Sequence, residues 1–210
     1  QTCALPICKD EGITGRFYEM LVAEGGSFFG SDGKVAFNSE EGVRALQWFV
    51  DLYEAKAVPA GVPNYLWDET GLGFASGTVA LSLDWGGWAS FFNSADSKIQ
   101  GDVGLIRAPK GSSGKRTGWS GSHSFSITEA CDNKAAAASF ITFLTNFDSQ
   151  MVEARTGLLP TRPDALEAII EESKAKGDDW LVHVFETFGT SMAEDAFAVP
   201  PTHLWIPISN

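Results

Sequence analysis

Apolar positions along the chain fall into short blocks whose spacing switches between helical and extended. Val43, Leu46, Phe49, Val50 and Tyr53 recur at helical intervals, Asn38 and Glu41 resemble a capping box, and Pro59 closes the run. An amphipathic helix is therefore predicted over 39–56. A loop over 57–67 follows, and Asp68 is the predicted cap of a short helix running through Ser76. Val79 to Leu83 is an apolar run of strand length that ends at Asp84. Gly86 and Gly87 loosen the backbone after it, and residues 89–93 read as one more helical turn. Val103 to Ala108 is a second short strand, closed by Pro109, and the Gly, Ser and Lys of 110–117 read as an exposed, solvated turn. Strict alternation then places Trp119, Gly121, His123, Phe125 and Ile127 on one face of a strand over 119–127.

The second half is helical in pattern. Asp132 is the predicted cap of an Ala-rich helix whose Phe140, Ile141, Leu144 and Phe147 read as core, and Asp148 restarts a shorter helix that ends at Gly157. Pro163 suits the first turn of another helix, with Leu166, Ile169 and Ile170 as its stripe and Gly177 as its stop. Residues 180–188 are predicted to be helical, and 198–210 carry three prolines around Trp205. Helices alternating with short strands define an α/β fold. Neither an internal repeat nor a low-complexity tract is present.

Composition narrows the function. The chain has 210 residues, 44% hydrophobic and 20% charged, enough for one sizeable core or two small ones. Fifteen basic against 27 acidic residues give a net charge of −12, and the basic residues are spread singly along the sequence. That argues against nucleic acid and against anionic membrane. No apolar run reaches the ~18 residues that a membrane span requires.

The first seven residues, Gln1 to Ile7, back-translate codon by codon into the end of a sequencing-library adapter and are expected to be non-native. Setting them aside removes Cys3 and leaves Cys8 at the junction. Cys131 then stands alone, so neither a disulfide framework nor a metal spacing results, and no cofactor is called for.

The candidate chemistry gathers after the strand at 79–83. Asp84, Trp85 and Trp88 lie at what would be the carboxyl edge of that strand, where open α/β sheets bind ligands. Indole faces stack on the apolar faces of a sugar, and a carboxylate or loosened backbone serves its hydroxyls. Packing in a core is the competing role for the same tryptophans. Trp119, Ser120, Gly121 and His123 add hydroxyl-seeking groups, and Trp205 is flanked by Pro201 and Pro207. Gly71-x-Gly73-x-x-Ser76 brushes against a dinucleotide fingerprint but follows a loop, so it reads as helix-terminal glycine use. An enzyme finds less support. Gly118-x-Ser120-Gly121-Ser122 misses the G-x-S-x-G nucleophile elbow by one residue. A glycosidase needs two opposed carboxylates, and Asp84 is the one acid among these aromatics. A cation or metal site would want several convergent acids or tyrosines.

Taken in order, Phe74 to Ala80, Trp88, Ala108-Pro109, Gly118 to Ile127, the helix over 133–144 and Gly157-Leu158-Leu159-Pro160-Thr161-Arg162 resemble one family. It is the extracellular solute-binding proteins of ABC importers, in the carbohydrate branch that includes the maltose-binding protein. The resemblance implies a two-lobed, periplasmic-binding-protein-like fold of which this chain is the middle and later part. It assigns 8–121 and 178–210 to one ligand-contacting lobe, and 122–177 to a crossover and part of the other. It further implies a sugar ligand, ABC permease subunits as partners, a monomer when complete, and a periplasmic or otherwise extracytoplasmic location, lipid-anchored or free. Trp88 and Trp205 match positions where rings stack on sugar in relatives, Trp119 to His123 matches the strand beside the cleft, and Asp84 falls where a polar residue reaches a ligand hydroxyl. The alternatives are a polyamine- or other small-solute-binding protein of the same fold, and a glycosidase fragment. Arg16 to Tyr18 match the family loosely. A fragment of such a fold is expected to leave apolar surface uncovered.

Overall fold

A computed structural model describes residues 2–4 (backbone only), 11–121 and 124–200. These divide into two compact units, the described residues up to 120 together with 190–200, and those between 121 and 189.

In the first unit, strand β1 (Thr2–Ala4) pairs in parallel with β2 (Val79–Ser82), Thr2 opposite Val79 and Ala4 opposite Ser82. Helices α1 (Glu11–Ala23), α2 (Glu40–Glu54) and α3 (Trp67–Ala75) are joined by loops and a 3₁₀ turn at Val62–Asn64. A second 3₁₀ turn, Gly86–Trp88, runs into the one-turn helix α4 (Ala89–Phe92). Strand β3 (Gly118–Ser120) pairs in parallel with β4 (Ala196–Ala198), Trp119 opposite Phe197.

Two adjoining apolar clusters hold this unit. Phe49, Val58 and Val62 gather Phe17, Met20, Leu52 and Tyr65, while Leu21, Phe28 and Ala45 gather Phe17, Tyr18, Met20, Phe29 and Trp119. Both clusters draw on α1, which the apolar pattern leaves unpredicted. Its low amphipathicity and its internal Gly12 and Gly15 conceal it, because glycine in a helix interior costs about 1 kcal/mol against alanine and packing must supply the difference.

Helix α2 confirms the predicted element but rotates its stripe. Gly42, Ala45 and Phe49 are the buried positions, whereas Val43, Leu46, Val50 and Tyr53 are exposed. The cap also moves by one residue: Ser39, not Asn38, accepts from the Gly42 N–H at 3.3 Å. Similarly, α3 is closed by the Glu69 carboxylate, which accepts the Leu66 N–H at 2.8 Å, and Asp68 lies inside the first turn. Gly71 stands mid-helix in α3, not at a helix end. Residues 103–108 join no ladder, and Ile106 is 81% exposed. A strand is defined by its neighbour, and none of the described segments forms a backbone ladder with this stretch. The ladder after Gly118 likewise stops at Ser120, short of the predicted alternating strand, and Phe125 is exposed.

The second unit is helical: α5 (Lys134–Thr145), α6 (Phe147–Arg155), α7 (Pro163–Lys176) and most of α8 (Asp179–Glu194). Asparagines cap the first two, Asn133 accepting from Ala136 N–H at 3.0 Å and Asn146 from Ser149 N–H at 2.8 Å, in place of the predicted Asp132 and Asp148. Gly177 ends α7 in the left-handed region at φ 70°, as the sequence predicts. Met151, Ala154, Ala165, Ile169 and Phe185 form the core, with Leu166 and Ile170 packed on it. Helix α5 has no buried residue, and Phe140 and Phe147, predicted as core, are exposed. Among the described residues no helix is long and apolar enough to cross a membrane.

Truncating Ile169 to Ala removes buried methyls from a core centred on Phe185, so it should lower the unfolding free energy by about 2–5 kcal/mol. The surface control Val152→Ala, at 62% exposure, should change it by no more than about 0.5 kcal/mol. Urea titration followed by circular dichroism measures both.

Candidate functional site

The first unit assembles its polar and aromatic site residues around α1 and α3. Arg16 and Glu19, one turn apart on α1, are 6% and 3% exposed and paired at 2.7 Å. The other oxygen of Glu19 accepts the backbone N–H of Trp119 at 2.7 Å, and the Glu19 carbonyl accepts the Thr117 hydroxyl at 3.0 Å. One buried carboxylate therefore links α1 to β3. The Arg16 guanidinium also lies over the Trp67 ring, 5.6 Å from its centroid, and Trp67 in turn sits 6.1 Å from Trp119 with the rings inclined at 33°.

Glycines admit the indoles. A Cβ on Gly15 would stand 2.2 Å from the Trp119 ring, so this bulky side chain lies directly on the α1 backbone. On α3, Gly71 plays the same part for Trp88, whose ring atoms come within 2.5 Å of where a Cβ would be. Trp67 and Gly71 are four residues apart and share one helix face, which brings Trp88 to the same side of α3 as the Trp67–Trp119 pair. Trp88 is stacked on Phe92, the planes at 9°, and meets Phe91 edge-on at 5.5 Å. Trp85 is the open one, 51% exposed.

Asp84 stands two residues beyond the end of β2, half-buried. Its carboxylate accepts the Trp85 N–H at 2.8 Å and the Ser82 hydroxyl at 3.4 Å. Burial pushes its carboxyl above the usual aspartate range; the Trp85 hydrogen bond, the positive charge of Arg16 and the Ser82 hydroxyl oppose that shift without cancelling it. Two buried donors in this group, Arg16 Nε and the Trp119 indole N–H, have no hydrogen-bond partner among the described residues.

Of the residues singled out in the sequence, Asp84, Trp85, Trp88 and Trp119 thus fall in this unit, with Ser120 at the end of β3. Gly121 opens the second unit and is exposed. His123 and Trp205 lie outside the described residues. Sequence reasoning passed over Glu19 and Trp67 and matched Arg16 only loosely. A helical i, i+3 pair of opposite charge was the available signal for Arg16 and Glu19, but without α1 it carried no meaning.

The turn at 110–117 is tied down. Gly111 N–H donates to the Lys115 carbonyl at 2.9 Å, Ser113 Oγ to the Ala23 carbonyl at 2.6 Å, and Ser112 Oγ to Glu24, whose carboxyl this contact lowers. Beside it lies a hollow of about 470 Å³ lined by Arg107, Lys110, Lys115, Arg116, Glu194 and Asp195. Arg107 is held there by both oxygens of Asp195, at 2.8 and 2.6 Å, which raises its pKa still further. With charged walls and no indole, this hollow lacks the aromatic faces that suit a sugar. No group of three or more candidate metal ligands occurs among the described residues.

Residues 11–151 match the family described as bacterial extracellular solute-binding protein, and the chain belongs to that family. Over its whole length it is similar to the maltose-bound MalE3 of T. maritima, at 28% identity and a TM-score of 0.82, covering 52% of that protein. It is similar also to the cyclic alpha-maltosyl-1,6-maltose binding protein of Arthrobacter globiformis, at 26% identity and a TM-score of 0.67, over 95% of this chain and 48% of that one. A curated relative, the probable amino-acid ABC transporter periplasmic-binding protein y4oP of Sinorhizobium fredii, is 26% identical over 169 residues, 79% of this chain and 36% of its own. The chain therefore spans about half the length of these solved relatives and about a third of the curated one. Its fold class is that of the two-lobed α/β binding proteins, represented in part.

Gly71→Ala should displace the Trp88 ring and cost about 1–3 kcal/mol of stability. Gly73→Ala, with open space around its Cβ, should instead be neutral or stabilising by up to about 1 kcal/mol. Thermal unfolding distinguishes the two. For Asp84, a raised folded-state pKa means its contribution to stability is fully present below the unfolded value and declines as pH rises through the folded one. Asp84→Asn should accordingly melt higher than the parent at pH 7, with the difference vanishing below about pH 3.8, where both side chains are neutral.

Proposed function

We propose that this chain is part of the sugar-binding component of an ABC importer, acting without chemistry. One observation carries the reading: the indoles of Trp119, Trp67 and Trp88 gather on one side of α3, accompanied on the same unit by the exposed indole of Trp85 and the half-buried Asp84 carboxylate. Flat rings beside a carboxylate suit a carbohydrate. Two of the similar structures, those of T. maritima and Arthrobacter globiformis, are named for maltose or a maltosyl sugar.

The ligand set we propose comprises Asp84, Trp85, Trp88, Trp119, Ser120 and Gly121, completed by His123 and Trp205. Residues 8–121 and 178–210 are assigned to the ligand-contacting lobe, and 122–177 to the crossover and the other lobe. ABC permease subunits are the partner, and the location is extracytoplasmic. Non-catalytic action is supported by the state of the carboxylates. Glu19, which shares the charge of Arg16 with Asp84, is already engaged by Arg16 and by the Trp119 N–H, so a second free carboxylate for glycoside hydrolysis is lacking among these residues.

The Sinorhizobium relative favours a second reading, an amino-acid ligand, for which Arg16 and Asp84 supply opposite charges. Against it stands the pairing of Arg16 with Glu19, which leaves the guanidinium little net charge for a carboxylate.

Isothermal titration of the protein encoded by the full reading frame, with maltose in one arm and an amino-acid mixture in the other, decides between them. Heat with maltose alone is expected. Trp85→Ala, removing the most exposed indole, should weaken that binding by about 1–3 kcal/mol, a factor of roughly 5 to 150. Unchanged affinity would remove Trp85 from the ligand set, and heat with the amino acids alone would replace the sugar reading.

A further inference from the structure

The carboxylate of Glu19 does more than neutralise Arg16. Its two oxygens face different elements: one takes the guanidinium of its own helix, the other takes the backbone N–H of Trp119 on β3, each at 2.7 Å. The peptide carbonyl of the same residue takes the Thr117 hydroxyl, so three hydrogen bonds at a single residue fix the chain entering β3. Just there the Trp119 ring crosses the α1 backbone at Gly15, a contact that tolerates no displacement toward the helix. Arg16, held by Glu19, lies in turn over Trp67, the ring that neighbours Trp119. Both sides of the indole pair are therefore referred back to one buried side chain.

We infer that Glu19 is a positioning residue for ligand binding: it sets the place of Trp119 and, through Arg16, of Trp67, without touching the ligand. The inference rests on the sugar-binding reading for its effect on affinity, but its effect on Trp119 stands independently of that reading. A carboxylate is required because it alone among side chains accepts from a guanidinium and a peptide N–H at once while carrying the charge that a buried arginine needs.

The test uses the protein of the full reading frame, with maltose as the probe and tryptophan emission as a second readout. Glu19→Ala removes both acceptors; maltose affinity should fall at least tenfold and the emission maximum should move to the red. The emission change should disappear in a Trp119→Phe, Trp67→Phe background. Glu19→Gln keeps an oxygen for the Trp119 N–H and should recover more of the affinity than of the thermal midpoint, because the charge on Arg16 is left unbalanced. Should Glu19→Ala fail to fold, the isosteric Gln variant still decides, since its emission and affinity are then compared with those of Arg16→Lys, which keeps the charge pair. Parental affinity and emission in Glu19→Ala with only the midpoint lowered, or, where that variant does not fold, fully parental affinity and emission in Glu19→Gln and Arg16→Lys alike, would mean a purely structural ion pair and overturn the inference. A parent that ignores maltose would overturn the sugar reading alone, and the emission series would continue to judge Glu19.

Discussion

Burying an arginine and a glutamate side by side is expensive, because each ion gives up its hydration and recovers it only if every strong hydrogen bond is rebuilt in place. Arg16 and Glu19 meet most of that demand with one another, with the Trp119 peptide and with the face of Trp67. The first unit is arranged around this requirement. Helix α1, weak by its own propensities, is held where its charged turn can reach β3, and β3 begins where the Glu19 carboxylate and carbonyl meet it.

The aromatic row follows from the same constraint. Indoles are large and rigid, and placing two of them against helices needs positions without a Cβ; Gly15 and Gly71 provide them. In each case the glycine sits inside a helix, where its conformational freedom is a handicap, so the close approach of a ring is what makes the residue fit. Asp84 completes the group from the end of β2, with Arg16 moderating the penalty of its burial. Aromatic faces, a guanidinium and a partly desolvated carboxylate from four separate stretches of chain thus belong to one unit. By contrast, the hollow near Arg107 is lined by cations and carboxylates, a different chemistry on the same unit.

Surface composition fits a chain that spans about half of the similar solved proteins. Val43, Leu46 and Val50 on α2, and Phe140 and Phe143 on α5, lie exposed on helices whose apolar stripes were legible as core-facing. Periodicity reports which positions are apolar, whereas burial depends on the neighbours that come to lie against them. The stripe of α7 had such neighbours, and there Ile169, with Leu166 and Ile170 around it, packs as its spacing implied.

Local chemistry was readable from the sequence: α2, α6 and α7 as helices, Gly177 as a left-handed stop, the short strand at 79–82, and Asp84 with its tryptophans at the strand's end. These depend on a few consecutive residues, whose capping, turn and periodicity preferences act over one or two turns. Cap positions nevertheless slipped by a residue or two at Ser39, Asn133 and Asn146, since adjacent polar side chains compete for the same orphan N–H groups. Helix α1, the Arg16–Glu19 pair and the meeting of Trp67 with Trp119 were decided only by tertiary structure. Trp67 meets Trp119, and the Trp119 N–H meets Glu19 at a separation of 100, so even the Arg16–Glu19 pair, one turn apart, is buried by segments remote in the chain; no local preference encodes which distant partner a buried charge or an indole will find.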